Sequence, residues 1–257
     1  MKKKMIMLVA AAMMTLSASS AFAAFGSMSL IRVVSDLTAG STTEVATDLG
    51  LVSTLAGLTN YTVADSFFGA GKATKGHDLY VNYYAWQSGI STKGTLDIAT
   101  NNTTAPAAAG STTLKSFLNS MNANYAAVST ANAGATTVVV ANNAGNSLGN
   151  LFSLTSLGGY GGYTQSVSSN ASVSLVSLTA ATPTPVEMKL WQFASGTAIT
   201  AGAQAAATPI LTLTTNADGT TTINAPAPTA ATPIPAAAWL LGSGLMGLFG
   251  LRRKMNA

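Results

Sequence analysis

The segment LTLTTNADGTTTI, residues 211–223, decides the fold class because it encodes a β-hairpin within a few residues. Apolar and hydroxyl side chains alternate along the first arm, and the second arm is rich in threonine, as in half-buried strands. Asp218-Gly219 lies between the arms and supplies the positive φ angles that a tight turn needs. The pattern predicts antiparallel β structure.

Similar patterns occur throughout the chain. In LYVNYYAW, residues 79–86, alternation places Leu79, Val81 and Tyr83 on one face and Tyr80, Asn82, Tyr84 and Trp86 on the other. Both faces are therefore apolar or amphipathic. The other segments with strand patterns are residues 30–34, 136–140, 173–175 and 187–193.

Helices are fewer. One is predicted behind Ser111 or Thr112 as N-cap, because apolar residues recur there at helical spacing. Ser41–Glu44 resembles a capping box before a second helix, although its threonines equally favour a strand. Short strands separated by Gly- and Asn-rich turns predict a mainly β body, a β-sandwich or jelly-roll-like fold with one or two short helices. The apolar residues of the first helix are Leu114, Phe117, Leu118, Met121 and Tyr125.

Composition narrows the function classes. Charged residues make up 8% of the chain, against about 25% in typical soluble domains. Six of the twelve Lys and Arg residues lie at residues 2–4 and 252–254, so the other six face eight acids and the body carries about −2. No basic cluster remains for a row of phosphates, so we expect no nucleic-acid partner. The chain has no Cys, which excludes disulfides and thiolate metal sites.

The N-terminus has the order of a secretory signal peptide. Residues 2–4 are lysines, residues 5–16 form an apolar run, and Ala21-Phe22-Ala23 fits the A-x-A cleavage pattern. Signal peptidase is expected to cut after Ala23, so the exported body would begin at Ala24.

The C-terminus has the order of a membrane span. Residues 236–251 contain one polar side chain, Ser243, and a helix of this length spans about 24 Å. Trp239 is expected to lie at one membrane interface, because tryptophan is enriched there. The cations after the span are expected on the cytoplasmic side by the positive-inside rule. These stop cations are Arg252, Arg253 and Lys254.

The same tail carries a family resemblance. Thr232-Pro233-Ile234-Pro235-Ala236, the apolar span through Trp239 and the basic end together resemble the PEP-CTERM sorting signal, most closely its VPLPA-type variant. Thr232 and Ile234 depart from that variant's usual Val and Leu. The resemblance implies recognition by an exosortase, a membrane-embedded enzyme of Gram-negative bacteria that make extracellular polysaccharide. The residues that would form the sorting motif are Pro233, Ile234, Pro235, Ala236 and Trp239.

The two ends define a domain plan: signal peptide 1–23, mostly β body 24–224, Pro/Ala-rich linker 225–235, and transmembrane helix with basic tail 236–257. The expected partners are signal peptidase, an exosortase, the inner membrane as a transient location, and exopolysaccharide. The leading hypothesis is a non-enzymatic cell-surface or extracellular-matrix protein with a structural or adhesive role in biofilm. A tail that stays in place as a membrane anchor is the alternative for location.

Two other functions stay open for the body. Tyr80, Tyr83, Tyr84 and Trp86 could form an aromatic platform for sugars, which would make the body a carbohydrate-binding module. His77 with Asp78 and a serine could form a hydrolytic triad, which would make the body a secreted hydrolase, although Lys75–Asp78 fits a polar turn better. No spacing of residues indicates a catalytic constellation, and we expect no cofactor and no metal site.

Overall fold

The predicted hairpin is present in the computed structural model, which describes residues 24–41, 43–87, 95–107, 112–141, 171–193 and 205–224. Its arms pair in register, Thr221 with Thr215 and Ile223 with Leu213. Gly219 lies in the turn with a φ of 84°, a conformation that glycine adopts without steric cost. The described residues belong to one unit that ends at Ala225.

The structure is mainly β, as the sequence predicts. Its two helices are α1 (Val52–Leu55) and α2 (Thr112–Ala131), and a short 3₁₀ helix covers Val176–Thr179. Within the described ranges the strands are β1 (Ser29–Asp36), β2 (Thr43–Leu51), β3 (Tyr61–Val63), β4 (Leu79–Trp86), β5 (Leu96–Thr100), β6 (Thr137–Ala141), β7 (Val173–Ser174), β8 (Val186–Phe193), β9 (Leu211–Thr215) and β10 (Thr221–Ile223).

All of these strands belong to one antiparallel sheet. Their order is β3-β10-β9-β8-β5-β4-β1-β2-β6, and β7 pairs with the first part of β4. The prediction of a β-sandwich or jelly roll envisaged two facing sheets, whereas the described strands are connected by hydrogen bonds into a single one.

The sheet is strongly curved, which a contact between distant strands demonstrates. β1 and β10 are five positions apart in the sheet order, about 24 Å in a flat sheet. Arg32 on β1 nevertheless donates hydrogen bonds to the Gly219 carbonyl and the Thr221 hydroxyl at the start of β10. An arginine side chain cannot cross such a distance, so the sheet must curl until these strands face each other.

Curvature gives the sheet an inner and an outer apolar face. Leu30 and Val34 of β1 point inward and Ile31 and Val33 point outward, as the period of two requires. The inner cluster is built mainly from β1, β2, β4, β8 and β9 and is closed by α1. The outer cluster includes Leu118, Met121 and Tyr125, the described part of the predicted apolar face of α2.

Helix α2 is also fixed to the sheet by polar contacts. The Tyr125 hydroxyl donates to the buried Glu44 carboxylate at 2.5 Å, and the Ser35 hydroxyl donates to the same group at 3.0 Å. The Tyr84 hydroxyl donates to the side-chain oxygen of Asn122 at 2.8 Å. These bonds satisfy groups that would otherwise be costly to bury between the helix and the sheet.

Residues 43–51 resolve an alternative that the sequence left open. They form β2, and helical structure is confined to α1 directly after it. Pairing with both β1 and β6 gives this threonine-containing segment partners on both edges, which outweighs the capping-box pattern. The predicted signal peptide, the linker and the transmembrane helix lie outside the described residues, as do the side chains of Leu114 and Phe117. No helix in the described part is long and apolar enough to cross a membrane.

Candidate functional site

The most polar part of the interior surrounds Arg32, which is fully buried. One terminal nitrogen donates to the Gly219 carbonyl at 3.1 Å and to Thr221 Oγ1 at 2.9 Å. The other donates to Thr47 Oγ1 at 3.1 Å and to the Asp65 carbonyl at 2.6 Å. Four acceptors from three separate segments therefore converge on one guanidinium group.

Further contacts compensate for the burial of this charge. The guanidinium carbon lies 5.2 Å from the centroid of the Phe67 ring, within the range of a cation–π interaction. Burial lowers the pKa of Arg32, and the charges of Tyr83 and Asp65 act in the opposite direction. The group stays charged, because an arginine is not deprotonated in proteins.

Tyr83 extends this polar cluster along the same face of the sheet. It is the register partner of Arg32, and its hydroxyl contacts Thr215 Oγ1 at 2.7 Å and Thr221 Oγ1 at 2.9 Å. Burial raises the pKa of Tyr83 despite the nearby guanidinium. Because the side chains of this cluster that approach Arg32 from β2, β4, β9 and β10 are buried, we interpret it as an internal connection between strands.

A second buried group has no such compensation. Asp97 on β5 is fully buried, and neither of its carboxylate oxygens has a hydrogen-bond partner among the described residues. Its register partners on both neighbouring strands are Ala85 and Gln192. Burial raises the pKa of Asp97 to about 7, and the neighbouring Gln192 amide only partly opposes this shift. The acid is therefore neutral over most of the acidic range.

His77 is paired with an acid, although not with the one that the sequence suggested. Its Nδ1 lies 2.6 Å from Asp36 Oδ2. Burial alone would raise the pKa of Asp36, but hydrogen bonds from His77, Ser41 and Thr38 together lower it. Asp78 instead donates its backbone N–H to the Thr38 hydroxyl. His77 is therefore paired with Asp36 and not with Asp78, and residues 75–76 lie in a turn, as the polar-turn interpretation expects.

The His77–Asp36 pair has two of the three parts of a hydrolytic triad. A nucleophile would have to contact the second ring nitrogen, and no hydroxyl in the described ranges is hydrogen-bonded there. The pair connects the turn after β1 to the loop before β4. We interpret it as a connection between two loops.

The predicted aromatic platform is wrong for three of its four members. Tyr83, Tyr84 and Trp86 are buried, at 0%, 0% and 4% exposure, and only Tyr80 is partly exposed. Tyr83 points into the inner cluster and the other two lie in the outer one. The alternation in the sequence is real, but both faces of β4 are covered, so these rings cannot stack on a sugar.

A row of threonines on the outer face of the sheet is the feature that sequence reasoning missed. Thr222 on β10 is the register partner of both Thr62 on β3 and Thr214 on β9, and all three point away from the inner cluster. Thr62 Oγ1 lies 2.9 Å from Thr222 Oγ1, and the Asn216 amide donates to Thr222 Oγ1 at 2.9 Å. Thr62 is exposed and Thr214 is half-buried, whereas Thr222 between them is buried at 8% exposure. The threonines of residues 211–223 were the sequence signal that could have indicated this row.

Metal ligation finds no support in this geometry, because no three His, Asp or Glu side chains lie together within the described ranges. No family model, curated protein or solved structure matches the chain. The inference of function therefore depends on the geometry of the body and on the two terminal segments.

Replacement of Arg32 by methionine should destabilise the exported protein by about 3 kcal/mol, as expected when a buried charge network loses its central member. Two carbonyl groups and two hydroxyls would lose their shared donor. Chemical denaturation measures this change. Lys72→Met is the matched control, because Lys72 donates one partly exposed bond to the Ser66 carbonyl. Equal effects of the two substitutions would contradict the central role of Arg32.

Asp97 should make the folded body less stable as pH rises from about 4 to about 7. Its pKa in the folded state is raised, so the folded state holds a proton that the unfolded state loses first. The stabilisation that this proton gives the folded body is fully present below the pKa that Asp97 has in the unfolded chain. It reaches at most roughly 4 kcal/mol, at about 1.4 kcal/mol per pKa unit. Thermal denaturation at several pH values should show this slope in the wild type and a clearly smaller slope in Asp97→Asn.

Asp218→Asn is the control for that experiment. Asp218 is exposed, and hydrogen bonds from Thr220 lower its pKa, so its stabilising effect is lost only as pH falls through the acidic range. A slope between pH 4 and pH 7 that is as steep in Asp97→Asn as in the wild type would contradict the assignment to Asp97.

Proposed function

We propose that the chain is an exported protein that an exosortase delivers to the cell surface or extracellular matrix of a Gram-negative bacterium. Its role there is structural or adhesive, in biofilm or exopolysaccharide. The observation that carries this proposal is the paired order of the ends: lysines, apolar run and Ala21-Phe22-Ala23 at the start, and Pro233–Ala236, apolar span and Arg252–Lys254 at the end. The inner membrane is a transient location in this route.

The body has properties that suit this destination. It has no cysteine, so its integrity does not depend on a redox compartment. Its interior is held by hydrogen bonds that converge on Arg32 and by two apolar clusters. Low charge and abundant hydroxyl groups favour contacts with uncharged polymers over contacts with nucleic acid.

The threonine row is the surface that we propose for contact with polysaccharide. It replaces the aromatic platform as the site of an adhesive role, because its hydroxyls lie on the outer face of β9, β10 and β3. Thr62 and Thr214 present the accessible hydroxyl groups of this row. The buried Thr222 between them connects Thr62 to Asn216 at the turn. Hydroxyl and amide groups exchange hydrogen bonds with sugars as both donors and acceptors.

The processing route predicts a specific loss of mass. Protein recovered from medium or surface should start at Ala24 and lack the residues after the motif near Pro235, as measured by intact mass spectrometry. The double substitution Pro233→Ala/Pro235→Ala should leave Arg252–Ala257 in place and the protein in the membrane fraction. Pro226→Ala/Pro228→Ala, in the same linker but outside the motif, should be processed normally. Complete retention of the tail in the wild type would instead support a permanent anchor.

The adhesive role predicts weaker retention of a surface variant. The double substitution Thr62→Val/Thr214→Val keeps the β-branched shape and removes two outward hydroxyls, so co-sedimentation with purified exopolysaccharide should fall severalfold. Surface substitutions of this kind change stability by about 0.5 kcal/mol. Thr54→Val/Thr130→Val, two exposed threonines on helices, is the matched control. Unchanged co-sedimentation would exclude the row as the contact surface.

A further inference from the structure

We propose that cleavage after Ala23 creates an ion pair between the new α-ammonium group of Ala24 and the Asp48 carboxylate, which fixes the start of the mature chain to the folded body. This inference rests on the export and signal-peptide cleavage proposed above. It adds a structural consequence to them, because removal of the leader would then stabilise the body that it releases.

Asp48 lies near the end of β2 and already binds the backbone that follows the expected cleavage bond. The Phe25 N–H donates to Asp48 Oδ2 at 2.5 Å, and the Gly50 N–H donates to Asp48 Oδ1 at 2.8 Å. The first contact connects residues 23 positions apart in the chain. The Asp48 carboxylate thus binds the backbone at the beginning of the body and also the backbone two residues beyond itself.

Residues 24 and 25 are held firmly against the outer cluster. The Phe25 side chain is 4% exposed, and its ring centroid lies 5.5 Å from that of Tyr125 on α2. The Asn122 side-chain amide donates to the Phe25 carbonyl at 3.3 Å. Ala24 packs against the same cluster. Sheet and helix therefore both fix the direction in which the chain enters the body.

The separation of the two groups follows from covalent geometry. The nitrogen of Ala24 precedes that of Phe25 by three bonds, so it lies within about 6 Å of Asp48 Oδ2. At that range an opposite charge stabilises a carboxylate appreciably. Rotation about the backbone bonds of a free terminal residue allows its nitrogen to approach Asp48 more closely than this upper bound.

Cleavage changes the charge at this position. Water adds to the carbonyl carbon of Ala23 and the bond from that carbon to the Ala24 nitrogen breaks. The leader departs with a terminal carboxylate, and the Ala24 nitrogen takes up protons to become an ammonium group. A neutral amide next to Asp48 is thereby replaced by a cation, with an ordinary α-amino pKa of about 7.7–8.0.

The partly buried surroundings of Asp48 strengthen the attraction between its carboxylate and this cation. Burial raises the pKa of Asp48, and hydrogen bonds from Gly50, Phe25 and Ser29 only partly oppose that shift. A carboxylate in such surroundings loses hydration without a compensating charge. The α-ammonium would supply that charge after cleavage, and the leader-bearing chain has an uncharged amide there instead.

A double-mutant cycle on the full, exported chain tests the pair. Insertion of Gly-Ser-Gly-Ser between Ala23 and Ala24 retains the cleavage site but places the new ammonium four residues upstream. We expect the insertion to lower the melting temperature of the recovered protein by about 2–4 °C, which corresponds to about 1 kcal/mol at this size. In the Asp48→Asn background the same insertion should have no effect. If Asp48→Asn does not accumulate, Asp48→Ser replaces it and keeps an acceptor for the Phe25 N–H.

The outcomes separate this inference from the proposed function. Equal effects of the insertion in both backgrounds, or no effect in either, would overturn the ion pair while export stands. An intact mass that places the first residue elsewhere than Ala24 would overturn both the cleavage proposal and the pair. A shift that depends on Asp48 in a protein that begins at Ala24 would support both.

Discussion

The hydrogen bonds of one buried arginine constrain the rest of the structure. Arg32 reaches from β1 to the start of β10 and also contacts β2 and the loop that contains Asp65. These contacts are possible only if a ten-stranded sheet curls, and the curl creates the enclosed face in which the inner apolar cluster is buried. The charge cannot leave that interior without leaving four acceptors unpaired. Loss of hydrogen bonds and loss of apolar burial would therefore occur together on unfolding.

The outer face of the sheet follows from the same constraint. A sheet that closes around one face exposes the other, and the apolar residues there need a cover. Helix α2 provides it, with Met121 and Tyr125 packed on the sheet and Tyr125 bonded to Glu44. Phe25 packs beside Tyr125, so the first residues of the body complete this cover. Phe25 is thus part of the core.

The sequence predicted local structure better than it predicted assembly. The hairpin at residues 211–223, strand β4 and helix α2 were predictable because periodicity and turn residues are local properties. A single curved sheet was not, because strand order depends on contacts such as that of Arg32 with Thr221, 189 residues apart. The aromatic platform failed for a related reason: alternation in residues 79–86 shows that two faces exist and not whether each is covered. The His77–Asp36 pair, 41 residues apart, likewise has no local pattern.

The distribution of charge connects the fold to the proposed role. The body has fourteen charged side chains, six basic and eight acidic. Among those whose burial the structure describes, Arg32, Asp36, Glu44 and Asp97 are buried. The surface therefore has still fewer charges than the composition suggests, and hydroxyl and amide groups must provide most of its hydration. Such a surface repels neither a second copy nor a neutral polysaccharide, since long-range repulsion requires net charge. A protein with this surface suits the adhesive role proposed above, for which Thr62 and Thr214 offer accessible hydroxyl groups on two strands.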